Sequence, residues 1–120
     1  MKKKPIDYDD RFMCVVKEKP KTYIRSFNRD YRLRSMVNFI TRKNGTMLDI
    51  GCGGGISTES YRYYFPKLKI FGCDVSKTAI SYAKKYGSGK ITYNHIQGKR
   101  LPYRDGMFDV CVCCDVLEHV

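Results

Sequence analysis

Long apolar runs are absent. No stretch approaches the ~18 residues of a membrane span, which excludes a membrane-crossing helix. Lys2, Lys3 and Lys4 make a basic tip, but no apolar segment follows, so the start does not read as a secretory signal. Without that signal the six cysteines are expected to be reduced, in a cytoplasmic setting, and not paired in a disulfide framework. A Gly-Lys-Ser/Thr triplet is missing too, which removes the phosphate loop of nucleoside triphosphatases. Acidic residues are scarce: 12 Asp and Glu stand against 23 Lys and Arg, a formal net charge of +11. The imbalance is greatest in residues 1–45, with 13 basic and 5 acidic side chains. Such charge means either a solvated surface or a face that draws an anionic partner such as nucleic acid. No recognition motif accompanies it, so the solvated surface is the preferred reading.

What is present is a chain of 120 residues with 42% hydrophobic content, enough for one small core. Residues 1–27, charged and broken by Pro5 and Pro20, read as a basic N-terminal arm, and residues 28–120 as one domain. A helix is expected from about Asn28 to Arg42. Asn28 can cap it, Asp30 suits the dipole in its first turn, and Tyr31, Met36, Val37 and Ile40 cluster near one face. Further along, the pattern predicts strands over 46–50, 67–73, 90–96 and 108–114, and helices over 56–65 and 77–86. Pro66 stops the first of these helices. Ser76 can cap the second, and Gly87 marks its end.

The densest signal is residues 46–58, TMLDIGCGGGIST. Met47, Leu48 and Ile50 suit a buried strand, and Asp49 places a carboxylate near its end. Gly51, Gly53, Gly54 and Gly55 form a turn, and a helix follows. Strand, glycine turn and helix make the first half of a nucleotide-binding βαβ unit, with ligand at the helix N-terminus. The third glycine of a dinucleotide fingerprint would fall on Ile56, which disfavours that class. The D-x-G-x-G-x-G of Asp49 to Gly55 resembles motif I of the class I S-adenosylmethionine (SAM)-dependent methyltransferases. Gly-Cys-Gly-Gly-Gly at 51–55 and Leu-Glu-His-Val at 117–120 are similar to small-molecule O-methyltransferases of the ubiquinone-pathway type. The resemblance runs from about residue 40 to the last residue.

That resemblance implies a set of cofactor contacts. Asp74 ends the second strand, near the spacing of a ribose-holding carboxylate, and its two oxygens can accept from two vicinal hydroxyls. On spacing alone it could instead open the next helix. Aligning Leu101-Pro102 with the family's Leu-Pro-aromatic places Gln97 where an Asp usually accepts from the adenine amino group. Gly98 then stands where a backbone N–H can meet the ring. The missing Asp is a departure from the family pattern. Asp49, Gly51, Cys52, Gly53, Val75 and Cys114 complete the expected contacts. No catalytic residue is assigned. His119 is a possible substrate-side base, and His95 is read as structural. No metal is expected, because alternate cysteines on a strand are taken to point to opposite faces, no C-x-x-C pair is recognised, and reduced Cys is a common core residue.

The implied fold is α/β, a Rossmann-like three-layer sandwich with a mostly parallel sheet. The chain would supply strands in the order 3-2-1-4 of a seven-stranded family sheet, lacking the C-terminal strands. It is therefore expected to be a fragment that carries the SAM-binding edge and is inactive alone. The implied activity is methyl transfer from SAM to a small-molecule O or N acceptor. The alternative is an RNA methyltransferase, or a non-catalytic nucleic-acid-binding module using the basic N-terminal region.

Overall fold

The computed structural model describes residues 31–97 and 99–113. The N-terminal arm expected over 1–27 and the closing segment with His119 lie outside the described residues. The chain order is α1 (Tyr31–Phe39), β1 (Gly45–Ile50), α2 (Ile56–Tyr64), β2 (Leu68–Asp74), α3 (Lys77–Tyr86), β3 (Thr92–His95) and β4 (Val110–Cys113). The strands form one sheet in the order β3-β2-β1-β4, and every pairing is parallel. The expected strand order is therefore present. Among the described residues no helix is long and apolar enough to cross a membrane.

Side-chain alternation divides the sheet into two faces. Met47, Ile70, Tyr93 and Val112 point to one face, where they form a core with Ile40, Tyr61, Phe65, Ile80 and Ala83. Met36 and Val37 of α1 pack against the same core, so α1, α2 and α3 all cover this face. Leu48, Phe71 and Cys73 point to the other face and meet Ile96, Tyr103, Met107 and Phe108. Here Phe71, Tyr103 and Phe108 stack edge to face, with centroids 5.0–6.4 Å apart. The three-layer sandwich thus appears in the described residues as a helical layer, the sheet, and a covering segment before β4. Right-handed crossovers explain the division: β1 to β3 run outward in one direction, and the return to β4 reverses it, placing that connection on the opposite face.

The observed elements are shorter than expected at several ends. α1 stops at Phe39, because Arg42 is committed elsewhere: its Nε donates to the Asn44 carbonyl at 3.0 Å and its guanidinium pairs with Asp109 at 3.4 Å. Asp109 also accepts from the Thr46 N–H at 2.9 Å, tying β4 to the start of β1. β3 and β4 hold only the residues paired with β2 and β1. α3 matches its expected span, with the Ser76 side chain accepting from the Ala79 N–H at 3.1 Å.

Candidate functional site

β1 delivers the chain to the C-terminal edge of the sheet, between β2 and β4, where the strand order changes direction. Ligands bind at such switch points in open α/β sheets. There the backbone curls over the end of β2. The N–H groups of Gly51 and Cys52 both donate to the Cys73 carbonyl, at 2.8 and 3.0 Å. The Gly55 N–H closes the turn onto the Cys52 carbonyl at 3.1 Å. α2 then starts from Gly55, with no side chain capping it.

Asp74 joins the two turns of this edge. One oxygen accepts from the Gly53 N–H at 2.8 Å and the other from the Ser76 N–H at 2.8 Å. A carboxylate can accept about four hydrogen bonds, so each oxygen keeps capacity for a ligand donor. Asp74 thus organises the start of α3, as the alternative expectation had it, and also faces the glycine turn. Gly53 has φ +57, and a Cβ built there meets no described atom within 4 Å. That open side is where a ligand can come close to the backbone. Because the N–H groups of Gly51 and Gly53 are used within the chain, a ligand here would meet carbonyl oxygens, which suit a cationic amine.

Asp49 lies beneath the turn, 5% exposed. It accepts from the Thr58 hydroxyl of α2 at 2.7 Å. Burial pushes its carboxyl up to about 7, partly opposed by the Thr58 bond, with Asp74 adding to the rise. The Cys52 thiol is held neutral by burial and by the same two carboxylates. Burial also pushes the Cys73 thiol up to about 11.

These features coincide with a match to the family model for a methyltransferase domain over residues 48–120. The chain belongs to the methyltransferase-domain family. The mitochondrial ubiquinone biosynthesis O-methyltransferase of Schizosaccharomyces pombe is 42% identical over 82 residues, covering 62% of this chain and 28% of that protein. The ubiquinone biosynthesis O-methyltransferase of Paraburkholderia xenovorans is 40% identical over 79 residues, covering 62% and 33%. This chain thus spans about a third of the length of these curated relatives, or less. A Methanococcus maripaludis protein assigned as a SAM-dependent methyltransferase superposes with a TM-score of 0.74 at 20% identity, over 100% of this chain and 56% of that one. The geranyl diphosphate C-methyltransferase of Streptomyces coelicolor, solved with S-adenosyl-L-homocysteine, gives 0.61 at 13% identity, over 68% and 33%. At such identities the likeness shows the Rossmann-like fold.

In this methyltransferase domain Asp49, Gly51, Cys52, Gly53 and Asp74 converge at one edge of the sheet. Val75 joins them, 46% exposed. Its backbone is steadied by His95, whose Nε2 lies 3.1 Å from the Val75 carbonyl and so donates to it. That bond fits a structural role for His95. Gln97 follows β3 at an exposed position, while Gly98 and Cys114 lie outside the described residues. The cysteines over 111–114 differ from expectation in two ways. Cys111 and Cys113 are two apart on β4 and share a face, and Cys111 and Cys114 do stand at C-x-x-C spacing. Among the described residues no group of three or more His, Cys, Asp or Glu could hold a metal ion.

Two buried residues beneath the glycine turn were not anticipated, Glu59 and Tyr93. Glu59 is 2% exposed in the first turn of α2, and its carboxylate accepts from the Tyr93 hydroxyl at 2.7 Å. The available signal was Gly72, since a glycine inside a strand marks a close approach. The Tyr93 ring passes there.

Proposed function

We propose that this chain is the cofactor-binding part of a SAM-dependent methyltransferase that methylates a small-molecule acceptor at O or N. The observation that carries the reading is the Asp74 carboxylate, held between the Gly53 and Ser76 N–H groups beside the open face of Gly53. Its remaining lone pairs suit the two vicinal hydroxyls of a ribose. Exposed Val75 offers an apolar surface for a base. The uncapped N-terminus of α2 suits a carboxylate, and the carbonyls of the glycine turn suit an ammonium. The residues present thus fit SAM from ribose to amino acid. When bound, SAM supplies a methyl group on sulfur that is already a good leaving group, so the protein's part is to hold donor and acceptor in line. The ubiquinone-pathway names of the curated relatives support a small-molecule acceptor.

Calorimetry with SAM tests the reading directly. Asp74→Ala removes the candidate ribose contacts and the tie to Gly53, and should weaken binding by about 1–3 kcal/mol. Unchanged affinity in that variant would take Asp74 out of the site.

A further inference from the structure

We propose that Tyr93 and Glu59 are positioning residues for the cofactor, their hydrogen bond beneath the glycine turn setting the placement of residues 53–55. The inference rests on the proposed SAM-binding role of that turn. Neither side chain needs to touch the ligand. Tyr93 starts on β3, 5% exposed, and its ring crosses β2 where Gly72 leaves room: a Cβ on Gly72 would lie 2.8 Å from Tyr93 Cδ1 and 3.0 Å from Cys52 Sγ. The hydroxyl ends 2.7 Å from Glu59 Oε2. It also lies 2.5 Å from where a Cβ of Gly55 would stand. The turn therefore rests on the tip of this tyrosine.

Glu59 holds that tip in place. Its other oxygen accepts from the Ser88 N–H at 3.0 Å, in the turn between α3 and β3, and lies 3.9 Å from Arg62 Nε. Its own backbone N–H donates to the Gly55 carbonyl at 2.8 Å. One buried residue, through its carboxylate and its backbone N–H, thus couples α2, β3 and the α3–β3 turn to the last residue of the glycine loop. With a donor on each oxygen it cannot rotate without breaking a bond in a buried setting.

The test compares Tyr93→Phe with Ile80→Val in the 120-residue chain, below the thermal transition of each. Tyr93→Phe keeps the ring beside Gly72 and removes only the hydroxyl. Ile80, 3% exposed in α3, belongs to the same core, so Ile80→Val controls for a general loss of stability. Tyr93→Phe should raise the Kd for SAM about tenfold and displace the amide resonances of Gly53, Gly54 and Gly55 in the SAM-free chain. Ile80→Val should lower the thermal midpoint and do neither. Should Tyr93→Phe not fold, Glu59→Gln is read the same way. A variant that is less stable but has wild-type affinity and wild-type glycine resonances would overturn the proposal. A wild-type chain that does not bind SAM would overturn the function proposed above, while the glycine resonances would still decide the positioning role.

Discussion

Gly55→Val should destabilise the fold by about 2–5 kcal/mol and lower its thermal midpoint sharply. Gly55 sits at φ +85, a left-handed conformation that costs a side chain with a Cβ about 1–2 kcal/mol. The new Cβ would also stand 2.5 Å from the Tyr93 hydroxyl and 2.9 Å from its Cζ. Tyr93 cannot retreat, because Gly72 and Cys52 border its ring and Glu59 holds its hydroxyl. Overpacking of this kind adds about 1–3 kcal/mol, against a total stability of about 5–15 kcal/mol for natural domains. Gly53→Ala is the informative contrast. Its φ is also positive, but its Cβ points into open space, so only the left-handed cost of about 1–2 kcal/mol applies. That variant should fold and lose SAM affinity, because its methyl group occupies the side from which the ligand approaches. Thermal melts and calorimetry on the pair separate the two effects. Wild-type affinity in Gly53→Ala would show that no ligand lies over that glycine.

The contrast also shows what could be read from residues alone. Four glycines in five positions announce a turn, and Asp49 and Asp74 announce its chemistry, because strand ends and helix starts follow local periodicity and capping. The strand order came from the resemblance, which carries information that no local pattern holds. The division of labour among the glycines was not legible. Gly53 faces open space and Gly55 faces Tyr93, a residue 38 positions away in sequence. Glu59 was hidden for the same reason: in a helix's first turn a Glu reads as a dipole partner on the surface, and only the folded chain shows it buried under β3's tyrosine. Arg42 was expected inside the first helix, whereas its pairing with Asp109 falls beyond the end of α1 and helps lock β1 to β4.

Asp49→Asn should change stability in the opposite direction. In the folded chain the carboxyl is pushed from 3.8 up to about 7. Below pH ~4 both states are protonated and the group costs nothing. As pH rises from there to about 7, the unfolded chain ionises first, so the folded state loses stability on the order of 4 kcal/mol across that window. Asparagine keeps an acceptor for the Thr58 hydroxyl and carries no charge. The variant should therefore lack this decline and melt higher than wild type at pH 8. Asp109 does not confuse the result. Its carboxyl is held low chiefly by the Thr46 N–H, and its contribution is lost only below the same window, as pH falls. Thermal midpoints of both chains between pH 4 and 9 provide the measurement, and parallel curves would refute the role given to Asp49. A costly carboxylate beside Asp74 makes sense at a turn that receives a cationic cofactor, so the more stable variant should bind SAM less tightly.

The bond from Tyr93 to Glu59 spans 34 positions, and that from Asp74 to Gly53 spans 21. Neither forms through local contacts, and contacts closing longer loops carry a higher entropic cost and slow folding. During synthesis the glycine turn leaves the ribosome well before the tyrosine that supports it has been added. Its strand and helix can assemble early, but its final shape must wait until β3 has docked. The turn proposed to meet the cofactor is thus encoded first and completed late, and a nascent chain ending before residue 93 should present the motif in full while being unable to bind SAM.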